Sequence, residues 1–253
     1  TNGAELRSDA LSEGDGGDIT IEATTLTLSG EKTSITAQAV GTGDGGFLKI
    51  DAKDIYLSDQ ASIKSDTLNS GDGGAVEITS INSLSVDGPL TRISAQAQGS
   101  GDGGQILIST DSFLLTNQAS LQAEAFSTGE GGLILINATT VLVDNGTINT
   151  NSESTSGGPA ATGDSGSLDI QATDVTLRNG AELRSDSLSE GDGGDITIAT
   201  SNLSLSGRNT SISAQAAGAG DGGFIQVDAR DISLTDNASI KSDSSLSGEG
   251  GYI

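Results

Sequence analysis

The chain contains no cysteine, histidine, methionine or tryptophan, and only two prolines, two tyrosines and four phenylalanines among 253 residues. Without Cys there is no disulfide framework, thiol nucleophile or thiolate metal site, and without His the usual zinc ligand and the usual base at neutral pH are both missing. The scarcity of aromatics means that any core is aliphatic. Lys and Arg number 11 against 35 Asp and Glu, a net charge of −24, so nucleic acid and anionic membrane surfaces are repelled, and the ionic partners to expect are cations. No run approaches the ~18 apolar residues of a membrane span, so no membrane insertion is expected. The sequence opens on Thr1 without a basic, apolar leader, which reads as a piece of a longer, processed polypeptide.

What is abundant is glycine, 37 residues of it, and it recurs in a fixed phrase. GDGG or a close variant starts at Gly14, Gly43, Gly71, Gly101, Gly129, Gly163, Gly191, Gly220 and Gly248, at nearly constant intervals except for one long step from Gly129 to Gly163. Self-similarity at a fixed period of roughly 20–50 residues marks a solenoid or a propeller. Within each unit the apolar residues alternate with polar ones in three short segments bounded by Gly, Ser, Asp, Asn and Thr, and nothing has helical spacing.

Aligned on their glycines, the units form columns. One reads Ile19, Leu48, Val76, Ile106, Ile134, Leu168, Ile196, Ile225, Ile253, and the next Ile21, Ile50, Ile78, Ile108, Ile136, Ile170, Ile198, Val227. Two more columns begin at Leu26 and Leu28, and a fifth runs Ile35, Ile63, Ile93, Leu121, Ile148, Leu183, Ile212, Ile240. Five aliphatic columns on three walls describe an all-β parallel β-helix with three short strands per ~28-residue coil, in one segment spanning residues 1–253. Parallel crossovers are right-handed in nearly all cases, and the hexapeptide spacing of left-handed β-helices is absent, so a right-handed coil is expected. The corner glycines are expected to supply positive φ. Eight complete coils at ~4.8 Å each make a rod of roughly 40 Å.

A second rhythm overlies the first. Coils at Gly14, Gly71 and Gly191 carry SITAQA, RISAQA and SISAQA, whereas those at Gly43 and Gly220 carry ASIKSD and that at Gly163 carries AELRSD. The genetic unit is therefore two coils. Residues 1–76 match residues 178–253 at 51 of 76 positions, so the array grew by duplication.

The phrases GDGGxIxI, DxxLxDxASIxSD and SISAQAxGxGDGG, which cover the whole chain, resemble the repeat region of filamentous haemagglutinin-like exoproteins, the two-partner-secretion adhesins of Gram-negative bacteria, cyanobacterial versions especially. That resemblance implies a right-handed β-helical shaft, export through an outer-membrane secretion pore, and a place at the cell surface or outside the cell. The function to expect is an extracellular structural shaft of an adhesin or filament that contacts a surface glycan or another cell-surface ligand, and not an enzyme. The alternatives are a glycan-binding face or a polysaccharide lyase or hydrolase. A catalytic site should break the repeat, whereas Lys64 and Lys241, and Arg7 and Arg184, recur as duplicated copies.

Three features are candidates for interaction. The corner column Asp15, Asp44, Asp72, Asp102, Glu130, Asp164, Asp192, Asp221, Glu249 stacks like charges about 5 Å apart, and is either a Ca²⁺ ladder, with Asp15, Asp44, Asp72, Asp102, Asp192 and Asp221 as ligands, or a row of solvated turn residues. Leu107, Leu114, Leu133, Leu135 and Leu142 fall where the alternation points outward, which marks a surface covered by the enlarged corner at residues 152–161 or by a partner chain. Ordinary repeat sequence at both ends suggests end-to-end homo-oligomerisation through unpaired strand edges.

Overall fold

The computed structural model describes residues 3–154, 162–188 and 190–253. Among them are twenty strands and no helix. Every strand pairs in parallel, and the chain winds through about eight turns of a β-solenoid. One sheet stacks nine three-residue strands, from β1 (Glu5–Arg7) to β20 (Ser239–Lys241); the other stacks the long strands of successive turns. Registration follows the columns, with Ile19 opposite Leu48, Leu48 opposite Val76, Val76 opposite Ile106 and Ile106 opposite Ile134.

The core is a filled prism. Leu48, Ile78, Ile106, Ile134, Leu168 and Ile196 are fully buried on the first wall, Leu84, Phe113 and Leu205 on the second, and Ile63, Ile93, Leu121 and Ile148 on the third. At about 1.5–3 kcal/mol for each large aliphatic side chain withdrawn from water, these columns supply the main stabilisation. Leu6, Ile232, Leu234 and Ile253 belong to the same columns but lie in the first and last layers and are exposed.

The first two walls depart in detail from separate short strands. Only in the first coil are they distinct, as β2 (Ile19–Glu22) and β3 (Thr25–Ser29); later they run on as one strand of 12 or 13 residues, such as β5 (Phe47–Ser58), β7 (Ala75–Asp87) and β9 (Gln105–Thr116). The bend between walls is a slip in the alternation: Leu48, Ile50 and Ala52 face inward, and then Ile55 and Leu57. Small residues occupy the bend, among them Ala52, Ser80, Thr110 and Thr200, and their hydroxyls bond backbone carbonyls there, as Ser80 Oγ does to Ser83 O at 2.7 Å and Thr200 Oγ1 to Thr173 O at 2.9 Å. The strands thus run on round the corner, and at Ala75–Asp87, the one described strand of 13 residues, the extra residue is absorbed there as a register shift between Ser80 and Ser83.

The glycines of GDGG are required for a different reason from the one expected. Of those corners only Gly14 has positive φ. The others have ordinary backbone angles, but a Cβ at Gly43 would lie 2.2 Å from the backbone of Gly14, and one at Gly103 would lie 2.5 Å from Gly132 N and 2.6 Å from Ala123 O. Coils approach so closely at these positions that a Cβ finds no room; the corner at Gly163 differs, with Ser165 in the third place and its Oγ accepting the Ser152 N–H at 3.2 Å. Left-handed residues instead gather at the turn from second to third wall, at Asp59 and Gln60, Asn117 and Gln118, Asn179 and Gly180, and Asp236 and Asn237, where Asn and Asp tolerate that conformation best.

Two glycine substitutions should therefore behave oppositely. Gly104→Ala, where a Cβ would lie 2.0 Å from Gly74 O, should destabilise the fold by more than about 2 kcal/mol, because backbone rather than a flexible side chain must give way. Gly180→Asn should cost under about 1 kcal/mol, since the added Cβ meets nothing nearer than 3.7 Å and Asn accepts positive φ. Urea titrations of the two variants read the difference directly.

Candidate functional site

The acidic corner is built of side chain-to-backbone bonds between coils. Asp15 Oδ1 accepts the N–H of Asp44 at 3.0 Å, Asp44 Oδ1 that of Asp72 at 2.8 Å, Asp72 Oδ1 that of Asp102 at 2.9 Å and Asp102 Oδ1 that of Glu130 at 2.8 Å. The same chain resumes from Asp164 through Asp192 and Asp221 to Glu249. Each Asp thus caps a backbone donor of the following coil while remaining exposed. Beside these residues a shallow, glycine-floored groove runs along the corners of the first four coils, past Asp15, Asp44, Asp72 and Asp102. Among the described residues no three acidic side chains converge as a group able to hold a metal ion.

The five leucines do point outward, and each is half-buried. Leu107 pairs with Leu135, with Leu133 beside them on the first wall, and Leu114 pairs with Leu142 on the second, so they form two aliphatic rungs on adjacent walls. Residues 155–161 of the enlarged corner lie outside the described residues; ahead of them, Ser152–Glu153 pairs in register with Ala125–Phe126.

A third polar column, at the end of the third wall, is the most fully connected. It reads Asp9, Gln38, Asp66, Gln96, Glu124, Asn151, Asp186, Gln215, Asp243, acid and amide in strict alternation. Alternation along the strand sends these side chains outward, yet Asp66, Gln96, Glu124, Asn151 and Asp186 are 1–6% exposed. Their burial was not legible in the sequence, where QA and SD appeared only as variants of a repeat. The backbone N–H of each Gln donates to the acid of the preceding coil, Gln38 N to Asp9 Oδ1 at 2.9 Å, Gln96 N to Asp66 Oδ1 at 3.0 Å and Gln215 N to Asp186 Oδ1 at 2.8 Å, whereas Asn151 Oδ1 accepts the N–H of Asp186 at 2.9 Å. Each Gln side-chain amide donates onward to the acid of the following coil, from Gln38 to Asp66, Gln96 to Glu124 and Gln215 to Asp243.

Cations complete the acidic rungs. Arg7 Nε bonds Asp9 Oδ2 at 2.8 Å and Arg184 Nε bonds Asp186 Oδ2 at 2.9 Å, while Lys64 occupies the same place, two residues before Asp66. Burial raises the carboxyl of Asp9, but the Gln38 N–H, Arg7 and Thr36 together outweigh it and leave the group below its usual range. Asp66 is raised, because burial there exceeds what the Gln96 N–H, Ser94, Lys64 and Arg92 return.

Glu124 is the exception. The position two residues before it is Gln122, so its own coil supplies no cation. Burial pushes its carboxyl up to about 7, the nearby Glu153 adds to the rise, and Gln96, Asn149 and the more distant Arg184 offset only part of it. Glu153 is itself raised by burial. The departures from the repeat therefore fall together here, in the coil before the enlarged corner and the coil that contains it.

Two measurements test these assignments. A raised carboxyl stabilises the fold most when protonated, so the contribution of Glu124 is complete below about pH 4.5 and is lost as pH rises through about 7. Glu124→Gln should hence leave stability nearly unchanged at pH 4.5 and raise it by on the order of 2–3 kcal/mol at pH 8.5; a pH-independent difference refutes the assignment. At the corner, Asp72→Asn keeps the acceptor for the Asp102 N–H and should be nearly neutral, whereas Asp72→Ala should cost about 1 kcal/mol. A Ca²⁺ ladder forecasts instead that Asn is as damaging as Ala and that a chelator lowers the melting temperature.

Comparison with known proteins places no relative beside this site: no family model, curated protein or solved structure matches the chain.

Proposed function

We propose that the chain is an extracellular structural shaft, a segment of a bacterial surface adhesin or filament that holds a contact region away from the cell. The observation that carries this reading is an axial register kept from coil to coil, with a single bulge among the described residues, at Ser80–Ser83. Each wall pairs strand on strand through every coil, and the pairing on either side of the enlarged coil is in step, with Leu133 opposite both Gln105 and Ser167. Backbone bonds directed along one axis and repeated on every wall resist bending and stretching together, which is the property a spacer needs.

The outward faces support the same reading. On the first wall one outward column reads Thr20, Lys49, Glu77, Leu107, Leu135, Asp169, a succession with no common chemistry. A face that bound a repeating polymer such as a glycan would be expected to repeat its own groups. Export through an outer-membrane pore and a surface location follow from the resemblance of GDGGxIxI and SISAQAxGxGDGG to two-partner-secretion adhesins.

The test is topological. Antibodies raised against this chain should label intact cells that make the parent protein and lose that label after brief external proteolysis. The chain itself should show no saturable binding to a glycan panel. Labelling only of permeabilised cells overturns the surface reading, and saturable glycan binding abolished by substitutions on one wall replaces the shaft with a binding face.

A further inference from the structure

The two-coil rhythm has a structural counterpart at two separate places in the cross-section. Coils starting at Gly43, Gly101, Gly163 and Gly220 put an acid in the buried ladder and Ala61, Ala119, Ala181 and Ala238 at the start of the third wall. They turn into that wall through two consecutive left-handed residues, Asp59 and Gln60 in the first of them. Coils starting at Gly14, Gly71 and Gly191 have Gln38, Gln96 and Gln215 in the ladder and Thr33, Thr91 and Thr210 at the start of the wall. Their turns are different, with left-handed Gly30 and Lys32, Gly88 and Leu90, or Gly207 and Asn209 separated by one ordinary residue.

The two types fit each other at both places. At the turn, the N–H of Gln60 donates to Thr91 Oγ1 of the following coil at 3.0 Å, and the N–H of Gly180 donates to Thr210 Oγ1 at 3.0 Å. Alanine, which an acid coil has at that position, offers no acceptor. In the ladder, Asp66 takes the backbone N–H of Gln96 in the amide coil after it and the side-chain amide of Gln38 in the one before it. The coil starting at Gly129, which has Asn151 and Gly146 at the two places, departs from this pattern, with Asn151 Oδ1 accepting the Asp186 N–H and the Gln118 N–H donating to Asn145 O. Ser213 Oγ adds a further bond to Asp186 Oδ2 at 2.9 Å. Two acid coils in contact would bury two carboxylates about 5 Å apart and remove the amide donor that each requires.

We propose that the two coil types form a stacking code, in which an acid coil packs stably only against amide coils, so that the array tolerates the loss of a pair of coils but not the loss of a single amide coil. Two independent contacts enforce it, one neutral and one charged, so neither salt nor protonation alone relaxes it. The code accounts for the long duplication as well: the copies at residues 1–76 and 178–253 are offset by the six coils from Gly14 to Gly191, an even number. It is independent of what the rod does at a cell surface.

Deletions in the otherwise complete chain decide the matter. Removing positions 71–100 takes out one amide coil and sets Asp66 against Glu124 and Gln60 against Ala119. Removing positions 43–100 takes out two coils and sets Gln38 beneath Glu124 as Gln96 is now. If length alone matters, the larger deletion is the less stable. The stacking code forecasts the reverse, with the one-coil deletion melting at least about 5 °C below the two-coil deletion or failing to fold. Adding Glu124→Gln and Ala119→Thr to the one-coil deletion converts its coil to the amide type at both contacts and should recover most of the loss, beyond whatever the same two substitutions add to the full chain. A one-coil deletion as stable as the two-coil deletion overturns the proposal, and so does one that the paired substitutions do not rescue.

Discussion

The parallel backbone ladder along the axis is the constraint from which the rest of this molecule follows. Each coil donates to and accepts from the coils on either side, so every residue sits one strand spacing from its equivalents above and below. A side chain in such an array faces copies of its own position in the sequence. Aliphatic residues benefit: columns of Ile, Leu and Val fill the prism continuously, with Phe113 as the one buried aromatic side chain among the described residues. The same rule makes other chemistries difficult.

Two difficulties are visible, and each has been met locally. At the GDGG corner the coils approach until there is no volume for Cβ, and the sequence responds with glycine at its first and fourth positions in every coil and at the third in every coil but that of Ser165. Aspartate between those glycines then serves as a cap, taking the N–H of its counterpart in the next coil, which is why an acidic column at one-strand spacing is compatible with the fold while its free oxygens face water. Where acids are buried, at the end of the third wall, water is not at hand to screen them. There the like-on-like rule is broken: acid alternates with amide, and Arg7, Lys64 or Arg184 stands two residues ahead of Asp9, Asp66 or Asp186. Burying these groups unpaired would be costly, and pairing them makes the position of each coil depend on the identity of its neighbour.

Glu124 shows what happens when one part of that arrangement is missing. It has the amide neighbours of the other acids but Gln122 in place of the cation, a longer side chain, and Glu153 nearby. The chain as a whole is uniform along its length except here, at the coils that also bear the aliphatic rungs and the enlarged corner. A rod whose local stability is set coil by coil can tolerate such a site, because each coil answers mainly to the two it touches.

The architecture was legible in the sequence because stacking makes each position a column, and five columns that are aliphatic at every place but Phe113 have no other economical reading. The outward direction of the five leucines and the coil boundaries followed from the same alternation. Other features were decided only by the tertiary structure, and for a common reason: they depend on distances between coils that a pattern within one coil does not contain. Glycine in GDGG reads equally well as a turn residue or as a close-contact residue until the backbone of the neighbouring coil is seen 2.2–2.6 Å from where Cβ would stand. The first two walls read as two strands because the inward pattern slips between Ala52 and Ile55, although the strand runs on through the bend with a register shift against its neighbour. Gln96 and Asp66 read as outward and solvated, since they alternate with inward residues; only the fold of the chain back toward the glycine corner, with the Gly74 N–H bonded to Ser65 O at 2.7 Å, shows them to be buried and bonded to each other. Sequence specified what each coil contains, and contact between coils decided what those residues do.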